Sequence, residues 1–135
     1  MGGPPGLSGR TILTAVVALR LYLENLLLPV VLGPVREEGV LRYPLSTSFP
    51  ISWTSHLDVA DVVTRLLTDA SPTTGTVGVG HPSGLTGPDL AAAFSSRLGR
   101  EGRFEGITPK AFGELMTPLF GPAAAPVVEL YRALN

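Results

Sequence analysis

The chain contains no cysteine. Disulfides, thiolate nucleophiles and thiolate metal sites are therefore excluded, nothing argues for an oxidising compartment, and a cytoplasmic protein is expected. Charge is scarce as well: 16% of residues are Asp, Glu, Lys or Arg, and the formal net charge is -1. The basic residues, nine Arg and one Lys, are scattered singly. No basic stripe exists to neutralise phosphates, which excludes a nucleic-acid partner, and no one-signed field exists to steer an oppositely charged substrate. Only two His are present, His56 and His81, at a spacing that suits no helical metal site, so no bound metal is expected. No nucleophile elbow occurs, and His81 has no carboxylate near it in sequence, which leaves a hydrolase triad unsupported.

A long uninterrupted apolar run is also missing. The nearest approach, Thr11–Leu32, holds Arg20, Glu24 and Asn25 at its centre and Pro29 beyond them, so no membrane span is expected. Its apolar start runs straight into Arg20 without a small-residue cleavage site, a poor fit to a signal peptide.

What remains is a chain of 135 residues, 44% hydrophobic, the size of one domain. A chain of this length buries roughly two-thirds of its unfolded surface, enough for a core without staples. With so few charges, and with 16 Gly and 13 Pro, the surface is unusually apolar, which points to a partner and most simply to a homodimer. The excess of Arg over Lys in an Ala/Gly/Pro/Leu-rich chain suggests a GC-rich bacterial genome.

Along the chain, residues 1–9 are a Gly/Pro/Ser arm expected to stay loose, with one domain over 10–135. Ile12, Val16, Leu19, Leu23, Leu26, Leu27 and Val30 recur at three- and four-residue steps, the period of a helix face, with Arg20 and Glu24 placed to pair at i,i+4. The β-branched run in Thr11–Leu19 fits a buried strand equally; a helix is expected from about Arg20, ending in the Pro29, Gly33 and Pro34 region. Short strands are expected at Val40–Leu45, Ile51–Thr54, Thr76–Val79 and Arg103–Ile107. Ser55 with Asp58, and Thr86 with Asp89, stand at capping-box spacing before apolar helical stripes. Thr108-Pro109 opens a further helix, and Val127, Leu130, Tyr131 and Leu134 mark a docked terminal one. The expected architecture is α/β in class, a small remnant of α+β character: a short mixed sheet of three or four strands covered by about five helices, with an apolar N-terminal helix at a dimer interface.

Three segments carry a resemblance. Leu21-Tyr22-Leu23-Glu24-Asn25-Leu26-Leu27 is similar to an aromatic-x-Glu-Asn-x-hydrophobic segment, and Trp53-Thr54-Ser55-His56-Leu57-Asp58-Val59-Ala60 to a strand leading into an Asp-opened helix. The succession Gly75–Val79, Leu85-Thr86, Gly99-Arg100 and Ile107-Thr108-Pro109-Lys110-Ala111-Phe112 follows in the same order. Together they resemble the C-terminal half of the NmrA-like family, relatives of the short-chain dehydrogenases that bind NAD(P). The resemblance covers residues 20–120. It implies a substrate-side domain without its cofactor half, because the family's Gly-rich turn between a first strand and helix is missing, as is its Arg-Pro after the sixth strand. Gly78–Gly84 reads as a plain turn rather than a phosphate loop. No cofactor-binding residue is assigned, and NAD(P) enters only if a partner chain supplies its site.

Two catalytic candidates follow. Glu24, if its pKa is raised in an apolar site, suits an acid or base; in the alternative it merely pairs with Arg20. His56, two residues before Asp58, suits a general base; in the alternative Asp58 caps its helix and His56 merely flanks it. Tyr22 and Asn25 are placed to bind a ligand carbonyl, while Tyr43, Trp53, Phe112 and Met116 are bulky residues for a pocket or for ordinary core. The expected function is binding of a small apolar or aromatic molecule, with a cofactor-independent isomerase or cyclase as the enzymatic form. The alternatives are a non-catalytic protein that dimerises or docks on an NAD(P)-dependent partner, and the substrate half of an NAD(P)H-dependent reductase.

Overall fold

The computed structural model of the chain describes residues 12–135. The expected loose arm over 1–9 and the expected start of structure near Arg10 lie outside the described residues. Ala15–Ala18 form β1, Leu21–Tyr22 β2, Val40–Tyr43 β3, Trp53–Thr54 β4, Gly75–Gly78 β5 and Arg103–Gly106 β6. Five α-helices alternate with them: α1 Pro29–Glu38, α2 His56–Thr68, α3 Gly87–Leu98, α4 Pro109–Phe120 and α5 Ala124–Leu134. The class is α/β. Among the described residues no helix is long and apolar enough to cross a membrane.

The strands are arranged as three two-stranded parallel pairs, β1 with β5, β2 with β4 and β3 with β6, rather than as one mixed sheet. Each pair is joined through intervening helix, the kind of crossover that a parallel pair requires; the one antiparallel contact is the isolated bridge Ile51–Leu85.

The first segment departs most from expectation. Residues 15–18 take the strand alternative left open for Thr11–Leu19, in place of the apolar N-terminal helix, with Val16 paired to Thr76 and Val17 to Val77. The valines' stiff side chains suit a pleat, and the pairing with β5 outweighs the helical spacing of the apolar residues. The helix expected from Arg20 is likewise replaced by β2 and a single 3-10 stretch over Leu23–Leu27. Leu28, just before Pro29, is extended at ψ 138, the conformation that a following proline imposes, and the α-helix begins only at Pro29. Pro29 therefore opens α1 instead of breaking it, the helix continues through Gly33 and Pro34, and Gly39 ends it in the left-handed region at φ 71.

Later elements match their signals closely. Ser55 Oγ accepts the Asp58 N–H at 3.1 Å while the Asp58 carboxylate accepts the Ser55 N–H at 3.0 Å, and Thr86 with Asp89 repeats the reciprocal cap on α3. Thr108 caps α4. Gly113 lets α4 and α5 approach closely, since a Cβ there would stand 2.3 Å from Val128 Cγ2.

The core lies where β2, β3 and β4 meet α1, α4 and α5, and is centred on Leu21, Leu41, Tyr43, Trp53, Phe112 and Tyr131. The β1–β5–α2 side is different. α2 has no buried residue, with Leu57 76% and Leu67 80% exposed, and Val16 on β1 is 55% exposed. β1 pairs only with β5 among the described residues, which leaves its other edge unpaired.

Candidate functional site

Two patches carry polar groups with chemical potential, one at each end of the β2–β4 pair. The register Tyr22↔Thr54 brings the ends of these strands side by side, so the 3-10 stretch after β2 faces the start of α2 after β4. Glu24 Oε1 accepts the backbone N–H of His56 at 2.9 Å, a carboxylate set on a helix N-terminus where the first N–H groups lack internal partners. Its other oxygen, buried, lies 3.5 Å from His56 Nδ1. The Tyr22 ring leans on the imidazole with centroids 4.0 Å apart and planes at 34°. Three of the residues singled out from sequence, Tyr22, Glu24 and His56, thus form one cluster.

The His56 backbone N–H holds the Glu24 carboxyl below its ordinary value, against the smaller opposing effect of desolvation. This reverses the expectation of a raised pKa: Glu24 is an ionised acceptor on the His56 backbone N–H and is unsuited to donating a proton. It does not pair with Arg20 either, because Arg20 lies in the strand connection and not one helical turn away. His56 faces Glu24 rather than Asp58, whose carboxylate is engaged in the cap.

The other sequence candidates lie inside the molecule. Tyr43, Trp53, Phe112 and Met116 are 0%, 2%, 1% and 4% exposed, and their volume fills the space between the strands and the C-terminal helices. Tyr43 stands edge-on to Trp53 at 5.6 Å and at a right angle to Tyr131 at 5.5 Å. The Tyr43 and Tyr131 hydroxyls are hydrogen-bonded to each other. Burial pushes both phenols up, Tyr43 further through the neighbouring Tyr131, and the half-buried Asn25 amide beside them opposes the rise. Trp53 Nε1 and Thr54 Oγ1 are buried without a hydrogen-bond partner among the described residues.

The second patch is a cleft at the opposite end, outside the carboxyl ends of β1 and β5, the position where parallel strands present ligand sites. It is lined by Ala18–Arg20 at and after the end of β1, by Gly78–Pro82 at and after the end of β5, and by Ser52, with a volume of about 490 Å³. A neighbouring hollow of about 440 Å³ shares Arg20, Ser52 and Pro82 and extends to Phe49, Ser83 and Leu134. Sequence reading gave Arg20, Ser52 and His81 no ligand-binding role. Their available signal was positional: each lies in the connection after, or immediately before, a short strand.

The Gly78–Gly84 loop does not fit a dinucleotide pyrophosphate. A Cβ on Gly80 would lie 2.1 Å from Ser52 Oγ and one on Gly84 3.0 Å from Pro50, so these glycines serve close packing on the neighbouring segment. The loop is fastened there by the His81 N–H to Trp53 O at 3.0 Å and by Ser52 Oγ to His81 O at 3.1 Å. The helix that follows, α3, opens under the Asp89 carboxylate, which accepts the Thr86 N–H at 2.8 Å and would repel a phosphate there. Metal ligation finds no better support: among the described residues no group of three His, Asp or Glu could hold an ion.

No family model matches the chain. It is 31% identical over 101 residues to an NAD(P)H azoreductase from Xenophilus azovorans, a match covering 75% of this chain and 34% of that protein. Among solved structures it resembles a nucleoside-diphosphate-sugar epimerase from Staphylococcus aureus, with TM-score 0.71, 20% identity, and coverage of 88% of this chain and 41% of the other. It also resembles an NADPH-dependent quinone oxidoreductase from Escherichia coli solved with NADPH, with TM-score 0.68, 16% identity, and coverage of 89% and 41%. The chain thus spans about a third of the length of its curated relative and about two-fifths of these structures, and it shares the fold of part of them.

Proposed function

We propose that the chain is the substrate-side part of an NAD(P)H-dependent reductase of NmrA-like type, corresponding to the C-terminal half. In this reading it receives a flat, ring-bearing acceptor in the cleft beyond β1 and β5, and the dinucleotide site lies on protein outside the described residues. The observation that carries this is the placement of the cleft: it opens at the carboxyl ends of a parallel pair whose β1 edge is unpaired among the described residues, so a further parallel strand can dock beside it. The azoreductase and quinone oxidoreductase likenesses support a ring-bearing acceptor. In this chain Arg20, Ser52 and the 79–84 loop bind and orient, and the exposed apolar faces of β1 and α2 receive the partner or a second copy.

A second reading is favoured by the Glu24–His56 contact at 3.5 Å. In it the chain is a cofactor-independent isomerase or cyclase, with His56 moving a proton between positions of an apolar substrate stacked on Tyr22.

Amide hydrogen exchange with 1,4-naphthoquinone separates the two, and the cysteine-free chain offers no thiol for the quinone to modify. Slowed exchange in the 79–84 loop is the expected result. Protection confined to Tyr22–Asn25 and the start of α2 would replace the first reading by the second.

A further inference from the structure

We infer that the cleft beyond β1 and β5 selects ring-bearing molecules that carry an acidic group, with Arg20 as the residue that reads the charge; this rests on the cleft being the acceptor site. Arg20 lines both hollows, and among the described residues it makes no ion pair. No Asp or Glu lines either hollow, so Arg20 stands in a lining without a compensating negative side chain. In a chain with net charge -1 and only ten basic residues, Arg20 is the one Arg or Lys that lines either hollow, a local positive group rather than part of a general field.

The rest of the lining suits a ring. Phe49 is 55% exposed and, with Pro50 and Pro82, presents apolar surface in the hollow that Arg20 also lines. The 79–82 backbone is held by the Val79 N–H to Ala18 O bond at 2.8 Å and by the two bonds fastening His81, so this part of the lining is held in place before a ligand arrives. A planar guanidinium pairs a carboxylate or sulfonate through two parallel N–H donors and stacks on aromatic faces, which fits an arene acid better than a lysine would.

Calorimetric titration of the full chain with anthraquinone-2-sulfonate and with the neutral 2-(hydroxymethyl)anthraquinone tests this. The anionic probe is expected to bind about tenfold more tightly at low salt, with the advantage shrinking as ionic strength rises. Arg20→Gln should abolish the difference by lowering the anionic probe's affinity more than the neutral probe's, and Arg20→Lys should keep part of it. Equal affinities for the two probes would overturn the inference and leave the acceptor site standing; binding of neither would overturn both. Displacement of the probes by NADP+ with the same dependence on Arg20 would reassign the cleft to a nucleotide phosphate and overturn the proposal too.

Discussion

Glu24 accepts the backbone N–H of His56 at 2.9 Å across 32 residues of sequence, joining the turn after β2 to the first residue of α2. The contact fixes where α2 starts relative to the core, since no residue of that helix is itself buried. Glu24→Ala should lower the unfolding midpoint, and Glu24→Gln, which keeps an acceptor oxygen but not the charge, should lower it less. Thermal unfolding of the two variants checks the order; a neutral Glu24→Ala would show that the contact holds nothing.

The same carboxylate gives a pH dependence. Glu24, Asp58 and Asp89 all have pKa values held down in the fold, Glu24 chiefly by the His56 backbone N–H, Asp58 by that of Ser55 and Asp89 by that of Thr86. A carboxyl depressed in the folded state contributes stability that is complete above its unfolded pKa and lost as pH falls through the folded one. The midpoint should therefore stay level from neutrality down to roughly pH 5 and fall below about pH 4, where the unfolded carboxyls bind protons first. Glu24→Gln should flatten part of that fall, and an unchanged acid limb would contradict the assignment.

The two capping boxes are independent tests of helix definition. Ser55→Ala and Thr86→Ala should each cost about 1 kcal/mol in chemical denaturation, and the double variant about their sum, because the caps share no partner. The sequence made these elements legible in advance: Ser55 with Asp58, Thr86 with Asp89 and Thr108 with Pro109 are local signals whose partners lie three residues away. Residues 12–28 were harder to read for the opposite reason: a strand over 11–19 could be named only as one of two alternatives, and the 3-10 stretch over 23–27 not at all. Their conformation is set by β5, about sixty residues later, and by β4, and no local period reveals a parallel partner. The site divides along the same line. Tyr22, Glu24 and His56 could be picked out singly, but their meeting depends on the β2–β4 register, and the pKa direction of Glu24 on a backbone N–H that no side-chain pattern displays. Tyr43, Trp53, Phe112 and Met116 carry the same composition whether they line a pocket or fill a core, and only packing distinguishes the two.

Within that core the Tyr43 and Tyr131 hydroxyls depend on each other. Tyr43→Phe or Tyr131→Phe alone should destabilise by about 1–3 kcal/mol, since the remaining hydroxyl stays buried with one partner fewer. The double Phe variant should lose less than the sum of the singles, and strict additivity in a double-mutant cycle would show that the pair is not coupled.

The unburied apolar face of α2 and the free β1 edge lead to a different kind of prediction. Leu67→Asp and Val16→Asp replace side chains that are 80% and 55% exposed, so Leu67→Asp should alter stability by less than about 0.5 kcal/mol. Both should reduce self-association in light scattering, as expected if these faces meet a second copy or a docking α/β unit. A monomeric wild-type chain in which neither substitution alters association or capture of a nucleotide-binding partner would remove the role given to this surface.

The central claim is that this chain holds an acceptor and not the dinucleotide. Its most direct test is the thermal unfolding midpoint of the purified chain with NADPH alone and with 1,4-naphthoquinone alone, since a ligand that binds only the folded state raises the midpoint by mass action. The account predicts a concentration-dependent rise with the quinone and none with NADPH. A rise with NADPH alone would contradict it, and would place a working nucleotide site within these residues.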